Sequence, residues 1–227
     1  VWNGLKEGAS GVGYTSVFDA SRFPTKISAE VRNWDVSDVG EDPEVWKLRG
    51  RHTKFAAGAA KKAVADREKL YNSAPALLID KAKKYSATIK TSKGDIEVEL
   101  FADSAPQSVN SFVLLSKLGY YDEFPINFTQ PGAFVLTGSP AGQPASDVGY
   151  TLPLEASTTV THTLGVMGLY YLADKKGSSG SQFYFALGDL PEYDGQFSVM
   201  GRITKGTDVA IALTMEDKIV TIEITEK

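Results

Sequence analysis

The stretch Gly180-Ser181-Gln182-Phe183-Tyr184-Phe185, followed closely by Asp194-Gly195-Gln196-Phe197-Ser198-Val199-Met200-Gly201-Arg202, decides how the chain is read. Phe183 and Phe185 flank Tyr184, and Phe197, Val199 and Gly201 alternate with Ser198 and Met200. A period of two sends successive side chains to opposite faces of a strand. Asp194-Gly195 is a turn pair. On spacing alone the region reads as two short strands of a plain hairpin core.

The same period recurs on either side. Ala87, Ile89 and Thr91 alternate with polar residues, Ser92-Lys93-Gly94-Asp95 turns the chain, and Ile96, Val98 and Leu100 alternate on the return. Further strands are expected around residues 134–136, 163–169, 183–187 and 197–203, and Lys218 to Ile224 closes with strict alternation. Residues 105–118 place Val109, Phe112, Val113 and Leu115 on one helical face, and residues 206–213 read as a second short helix. Many short strands with two helices predict a mainly β protein, a closed barrel capped at its ends.

The chain has 227 residues, net charge −4, no cysteine and two histidines. The length suffices for one good core and an appendage. The acidic balance argues against nucleic acid or an anionic membrane as the main partner. Without cysteine there are no disulfides, thiolate metal sites or cysteine nucleophiles, and His52 and His162 cannot make a histidine-rich metal site. No metal and no cofactor is expected. No apolar run approaches the roughly twenty residues that span a bilayer. The start at Val1 reads as a processed or trimmed terminus.

Residues 1–74 differ in texture and are expected to form an extension, with a linker at Asn72 to Pro75 and the body over 75–227. Gly4, Gly8, Gly11 and Gly13 suggest turns or a mobile arm; residues 51–69, Ala-rich with Phe55, Ala59 and Ala63 at helical spacing, predict a helix. Trp2, Phe18, Phe23, Trp34 and Trp46 have too short a pattern for a core of their own, so they are expected to bind a partner.

The literal strings extend this reading. Gly-Ser-Gln-Phe-Tyr-Phe with Leu190-Pro191 and Asp194-Gly195-Gln196 resembles the peptide-binding wall of cyclophilins, the peptidyl-prolyl isomerase family. From about Pro75 onward Lys93 to Phe101, Ala105-Pro106 with Val109 to Phe112, Gly119 to Asp122, Gly149 to Pro153, His162 to Gly165 and Gly201 to Val209 fall in that family's order. The resemblance implies eight antiparallel strands and a proline-binding groove containing Phe134, Val135, Thr137, Gln182, Tyr184, Tyr193 and Phe197. Tyr170-Tyr171, where the family has a small residue, are expected to obstruct it. His162 opens a structural His-x-x-Gly turn, with a titrating switch as the other reading. The arm, through Trp2, Ser10-Gly11-Val12, Phe18 to Ile27 and Thr53 to Lys61, resembles the start of β-ketoacyl synthases without that enzyme's nucleophilic cysteine. A borrowed interaction arm and a spliced sequence are the two readings of that likeness.

Prolyl isomerisation rotates an amide whose barrier is about 18–20 kcal/mol. The resemblance implies an arginine that hydrogen-bonds towards the imide nitrogen and favours the twisted state. The family runs Phe-His-Arg-Val, a Pro-Gly turn, then Phe-Met/Val-Ile-Gln-Gly-Gly-Asp-Pro. Here the chain reads Ile126-Asn127-Phe128-Thr129-Gln130-Pro131-Gly132-Ala133-Phe134-Val135-Leu136-Thr137-Gly138-Ser139-Pro140. Counting forward puts Phe128 at the arginine place; counting back from Phe134 puts Thr129 there. No arginine occurs between Arg67 and Arg202, and Arg202 reads as a solvated surface residue. No catalytic residue is therefore assigned. The expectation is a non-enzymatic accessory subunit of a larger, membrane-associated protein assembly, docked through its arm. The alternative is an isomerase or a proline-peptide-binding module. The lead-in from Ile79 to Ile89 is similar to that of extracytoplasmic bacterial cyclophilins, which leans the localisation towards that side of a membrane or a thylakoid lumen.

Overall fold

The computed structural model describes residues 12–14, 27–29, 64–143, 145–156, 159–172 and 177–227. The chain divides into two compact units, Val1–Lys61 and Lys62–Lys227. In the first, β1 (Val12–Tyr14) and β2 (Ile27–Ala29) pair antiparallel, Val12 opposite Ala29.

The second unit holds β3 (Tyr85–Thr91), β4 (Gly94–Leu100), α1 (Pro106–Lys117), β5 (Phe124–Gln130), β6 (Phe134–Thr137) and β7 (Thr151–Leu152). It continues with β8 (Val166–Leu172), β9 (Gly177–Ala186), β10 (Ser198–Lys205), α2 (Thr207–Ala212) and β11 (Lys218–Glu226). The strands run β6-β5-β11-β3-β4-β10-β8-β9, and β9 pairs back to β6. An eight-stranded antiparallel barrel is thereby closed, with the two-residue β7 added beside β9. Closure removes the unpaired edges that an open sheet would present.

Alternation fills the interior. Ile89, Ile96, Ile126, Val135, Phe183, Phe185 and Ile219 converge there and leave a void of only about 10 Å³. The barrel is a packed core, with no interior room for a ligand. Phe112 and Tyr121 join it through edge-on ring contacts with Phe183 at 5.3 and 5.4 Å. Helix α1 covers one face with Val109, Phe112, Val113 and Leu115 buried, as its periodicity predicts. Its first turn has no cap of its own. Instead the Glu155 carboxylate accepts the Gln107 and Ser108 amides, at 3.0 and 2.8 Å. A carboxylate at a helix start satisfies free N–H groups and the dipole together.

Two expectations are corrected. The stretches around Phe183 and Phe197 are not the two arms of a hairpin: β8 lies between β9 and β10 and pairs with both. The hydrophobic alternation was right, but it carries no information about which strand is the neighbour. Strand β5 was not anticipated at all. Its period breaks at Asn127, where Ile126 pairs with Thr137 but Phe128 pairs with Leu136. That bulge adds a residue on one strand and turns Phe128 outward.

Residues 64–71, placed on the arm by the sequence, pack against the barrel. Val64 is 4% exposed within the core, and the Lys69 and Tyr71 amides donate to Asp147 O and Val148 O at 2.9 and 3.0 Å. Of the helix expected over 51–69, Val64 and Ala65 are its described helical residues; residues 51–63 lie outside the described residues.

The lead-in at 76–79 is fastened by the buried Asn110. Its Oδ1 accepts the Leu78 and Ile79 amides at 2.8 and 3.2 Å, and its Nδ2 donates to Ala76 O at 2.9 Å. Asn110→Ala strands three backbone groups and should destabilise the domain by about 1–3 kcal/mol in urea unfolding. Amide exchange should rise first at Leu78 and Ile79.

Candidate functional site

A groove runs over the outer face where β5, β6, β8 and β9 meet. The bulge lets two successive residues face it. Asn127 bridges Ser139, accepting its amide at 2.8 Å and donating to its carbonyl at 3.0 Å. Phe128, 45% exposed, lays its ring 5.7 Å from Phe134. Together with Leu136, Tyr170, Gln182, Ser139, Gly142 and Gln143, these residues line a cleft of about 280 Å³. That lining includes neither lysine nor arginine.

An aromatic cluster continues the surface beyond Phe134. Tyr193 and Phe197 stack at 4.4 Å, Tyr184 meets both edge-on, and Phe134 lies 6.2 Å from Tyr184 and from Tyr193. The short 3-10 turn Pro191–Tyr193 presents Tyr193. Tyr171 touches the cluster through Phe197, at 6.4 Å.

Behind the wall runs a hydrogen-bond chain. Asp194 Oδ1 accepts the His162 backbone N–H at 2.7 Å and the His162 Nδ1 proton at 2.9 Å. His162 Nε2 is then free to accept the Tyr184 hydroxyl, at 2.8 Å. Burial pushes the Tyr184 pKa upward, so the hydroxyl stays protonated and donates. Donation from the His162 backbone, then from its ring, holds the Asp194 carboxyl below the usual range.

This fold and these strings match the family described as cyclophilin type peptidyl-prolyl cis-trans isomerase/CLD over residues 86–225. The chain belongs to that family. A peptidyl-prolyl cis-trans isomerase of Helicobacter pylori is 36% identical over 131 residues, 57% of this chain and 79% of its own length. One from Synechococcus elongatus is 28% identical over 140 residues, 61% of this chain and 94% of its own. A crystal structure of a cyclophilin-type isomerase from Cryptosporidium parvum superposes with TM-score 0.57 at 23% identity, over 63% of this chain and 99% of that one.

The β5–β6 pairing puts the two candidates for the arginine place at successive positions of the strand. Phe128 is opposite Leu136 on the groove side; Thr129, the next residue, is opposite Val135. Val135 and Thr137, expected in the groove, instead line the barrel interior with Phe183 and Phe185. Period-two alternation forbids Phe134, Val135 and Thr137 from sharing one face. Leu136, Asn127, Ser139, Gly142 and Gln143 line the cleft and were missed by the sequence reading.

Phe134, Gln182, Tyr184, Tyr193 and Phe197 do converge on the outer face, and Tyr170 takes one wall of the cleft. His162 is a core histidine, 2% exposed, with both ring nitrogens engaged. Among the described residues the arginines are Arg67 and Arg202. Arg67 donates to Tyr120 O and Asp122 O, and Arg202 is an exposed residue of β10 opposite Glu99 on β4. Trp2, Phe18, Phe23, Trp34 and Trp46 lie outside the described residues, as does most of the ketoacyl-synthase-like sequence.

Two outcomes are expected. Tyr184→Phe keeps the ring but leaves His162 Nε2 buried without its donor, and should cost about 1–3 kcal/mol in thermal or urea unfolding. A depressed carboxyl stabilises the fold above its unfolded pKa of about 3.9 and loses that contribution as pH falls through the folded value. Asp194→Asn should therefore lower stability at neutral pH and flatten the decline below about pH 4.

Proposed function

We propose that this domain binds proline-containing segments in an uncharged, aromatic groove and isomerises them far more slowly than arginine-bearing relatives. Membership of the cyclophilin family and the names of the similar proteins support proline-peptide recognition. What supports slow turnover is Phe128, read here as standing in the arginine place, with its ring beside Phe134 at a cleft whose lining has no lysine or arginine.

The chemistry follows from what each side chain can donate. Twisting the X-Pro amide localises the lone pair on nitrogen, and a fixed guanidinium stabilises that state more than the planar one. A phenyl ring has no N–H to offer. It does offer area: aromatic faces bury a proline ring and apolar neighbours with little entropy loss. The amides of Asn127 and Gln182 are engaged by Ser139 and Ser146, so at the cleft these residues hold its shape. The groove therefore supports ground-state binding and lacks the donor that would favour the transition state.

The test compares the protein with its Phe128→Arg variant in a proline-isomerisation assay, and titrates both with an apolar X-Pro peptide. Wild-type turnover should fall below that of an arginine-bearing relative by about 10²–10³, the usual loss on removing one such donor. Phe128→Arg should raise turnover while leaving peptide affinity within a few fold. Wild-type turnover equal to the relative's would overturn the slow-enzyme reading, and absence of peptide binding would overturn the recognition.

A further inference from the structure

The geometry points to residues 64–71 as a positioning strap for the groove. They lie outside the span matched by the family, 86–225. Yet two hydrogen-bond routes lead from them to Ser181-Gln182, at the groove wall.

The first route passes through the loop after β6. Lys69 N–H donates to Asp147 O at 2.9 Å and Tyr71 N–H to Val148 O at 3.0 Å. One residue before Asp147, the Ser146 carbonyl accepts the Gln182 side-chain amide at 3.0 Å. One bond further, Val148 N–H donates to Ser181 Oγ at 3.2 Å. The strap's fit against this loop requires Gly149: its φ is +112°, and a Cβ there would stand 2.0 Å from Tyr71 O.

The second route starts at Arg67. Its guanidinium donates to Tyr120 O at 2.6 Å and Asp122 O at 2.7 Å, fixing the turn after α1 from both sides of Tyr121. The Tyr121 hydroxyl in turn donates to Ser181 O at 2.9 Å. Gln182 thus has its backbone held through Arg67 and Tyr121, and its amide held through Lys69 and Ser146. The strap positions Gln182; it touches no ligand itself.

This inference builds on the proposed peptide recognition, but its first readout is independent of any peptide. In the full chain, Arg67→Ala combined with Val64→Asp removes the guanidinium and the buried apolar anchor. The Lys69 and Tyr71 amides should then lose protection from exchange, and the Gln182 side-chain amide resonance should shift and broaden. Arg202→Ala, an exposed change elsewhere, should leave that resonance in place. Affinity for the X-Pro peptide should fall about tenfold, which is about 1.4 kcal/mol. Arg67→Lys, which keeps a charged donor, should retain part of both. Continued protection of Lys69 and Tyr71 in the double variant, or an unchanged Gln182 amide, would overturn the proposal. Failure of the wild-type protein to bind peptide would instead strike the recognition reading and leave the amide result to decide this one.

Discussion

The groove depends on one constraint, the two-residue alternation of β9 against β6. Phe183 and Phe185 point into the barrel; Gln182 and Tyr184 point out. The partner strand answers in register, with Val135 opposite Phe185 and Leu136 opposite Tyr184. A slip of one residue would exchange the two faces completely, placing Gln182 in the core and two phenylalanines on the surface. The inner rings close against Phe112 and Tyr121, so burial of the core face fixes where every groove residue stands.

The outer face has its own balance. A wall of rings at the surface needs support, and here it comes from a polar chain behind it. The Tyr184 hydroxyl would be costly to bury alone; given to His162, and through it to Asp194, it becomes a fixed point. The ring of Tyr184 then meets Tyr193 and Phe197 from a set position. Rigid aromatic surface of this kind suits recognition, since little rotamer freedom remains to be lost on binding.

Much of this could be read from the sequence, and the failures have definite causes. Both helices fell within a residue or two of their observed ends, because Pro106 and Gly206 mark their starts and the apolar spacing is regular. The closed barrel followed from many short alternating runs. Strand β5 was hidden because Asn127 interrupts its period, and pattern reading has no symbol for a bulge. Neighbours in the sheet were hidden because alternation is blind to pairing. In the groove, Val135 and Thr137 were grouped with Phe134, although successive residues of a strand face opposite ways and both line the interior. The packing of residues 64–71 was hidden for another reason: beyond the buried Val64, their contacts are made by backbone amides and by Arg67, and neither leaves a pattern.

Phe128 also bears on how the cleft attracts a ligand. The cleft lining it joins carries no formal charge, so attraction there arises from dispersion and from water released from apolar surface. Such forces are short-ranged and indifferent to ionic strength, whereas a guanidinium would draw anionic ligands from a distance and lose that pull in salt. The cleft would therefore choose its occupants by outline and oiliness rather than by sign, much as a protein interior does.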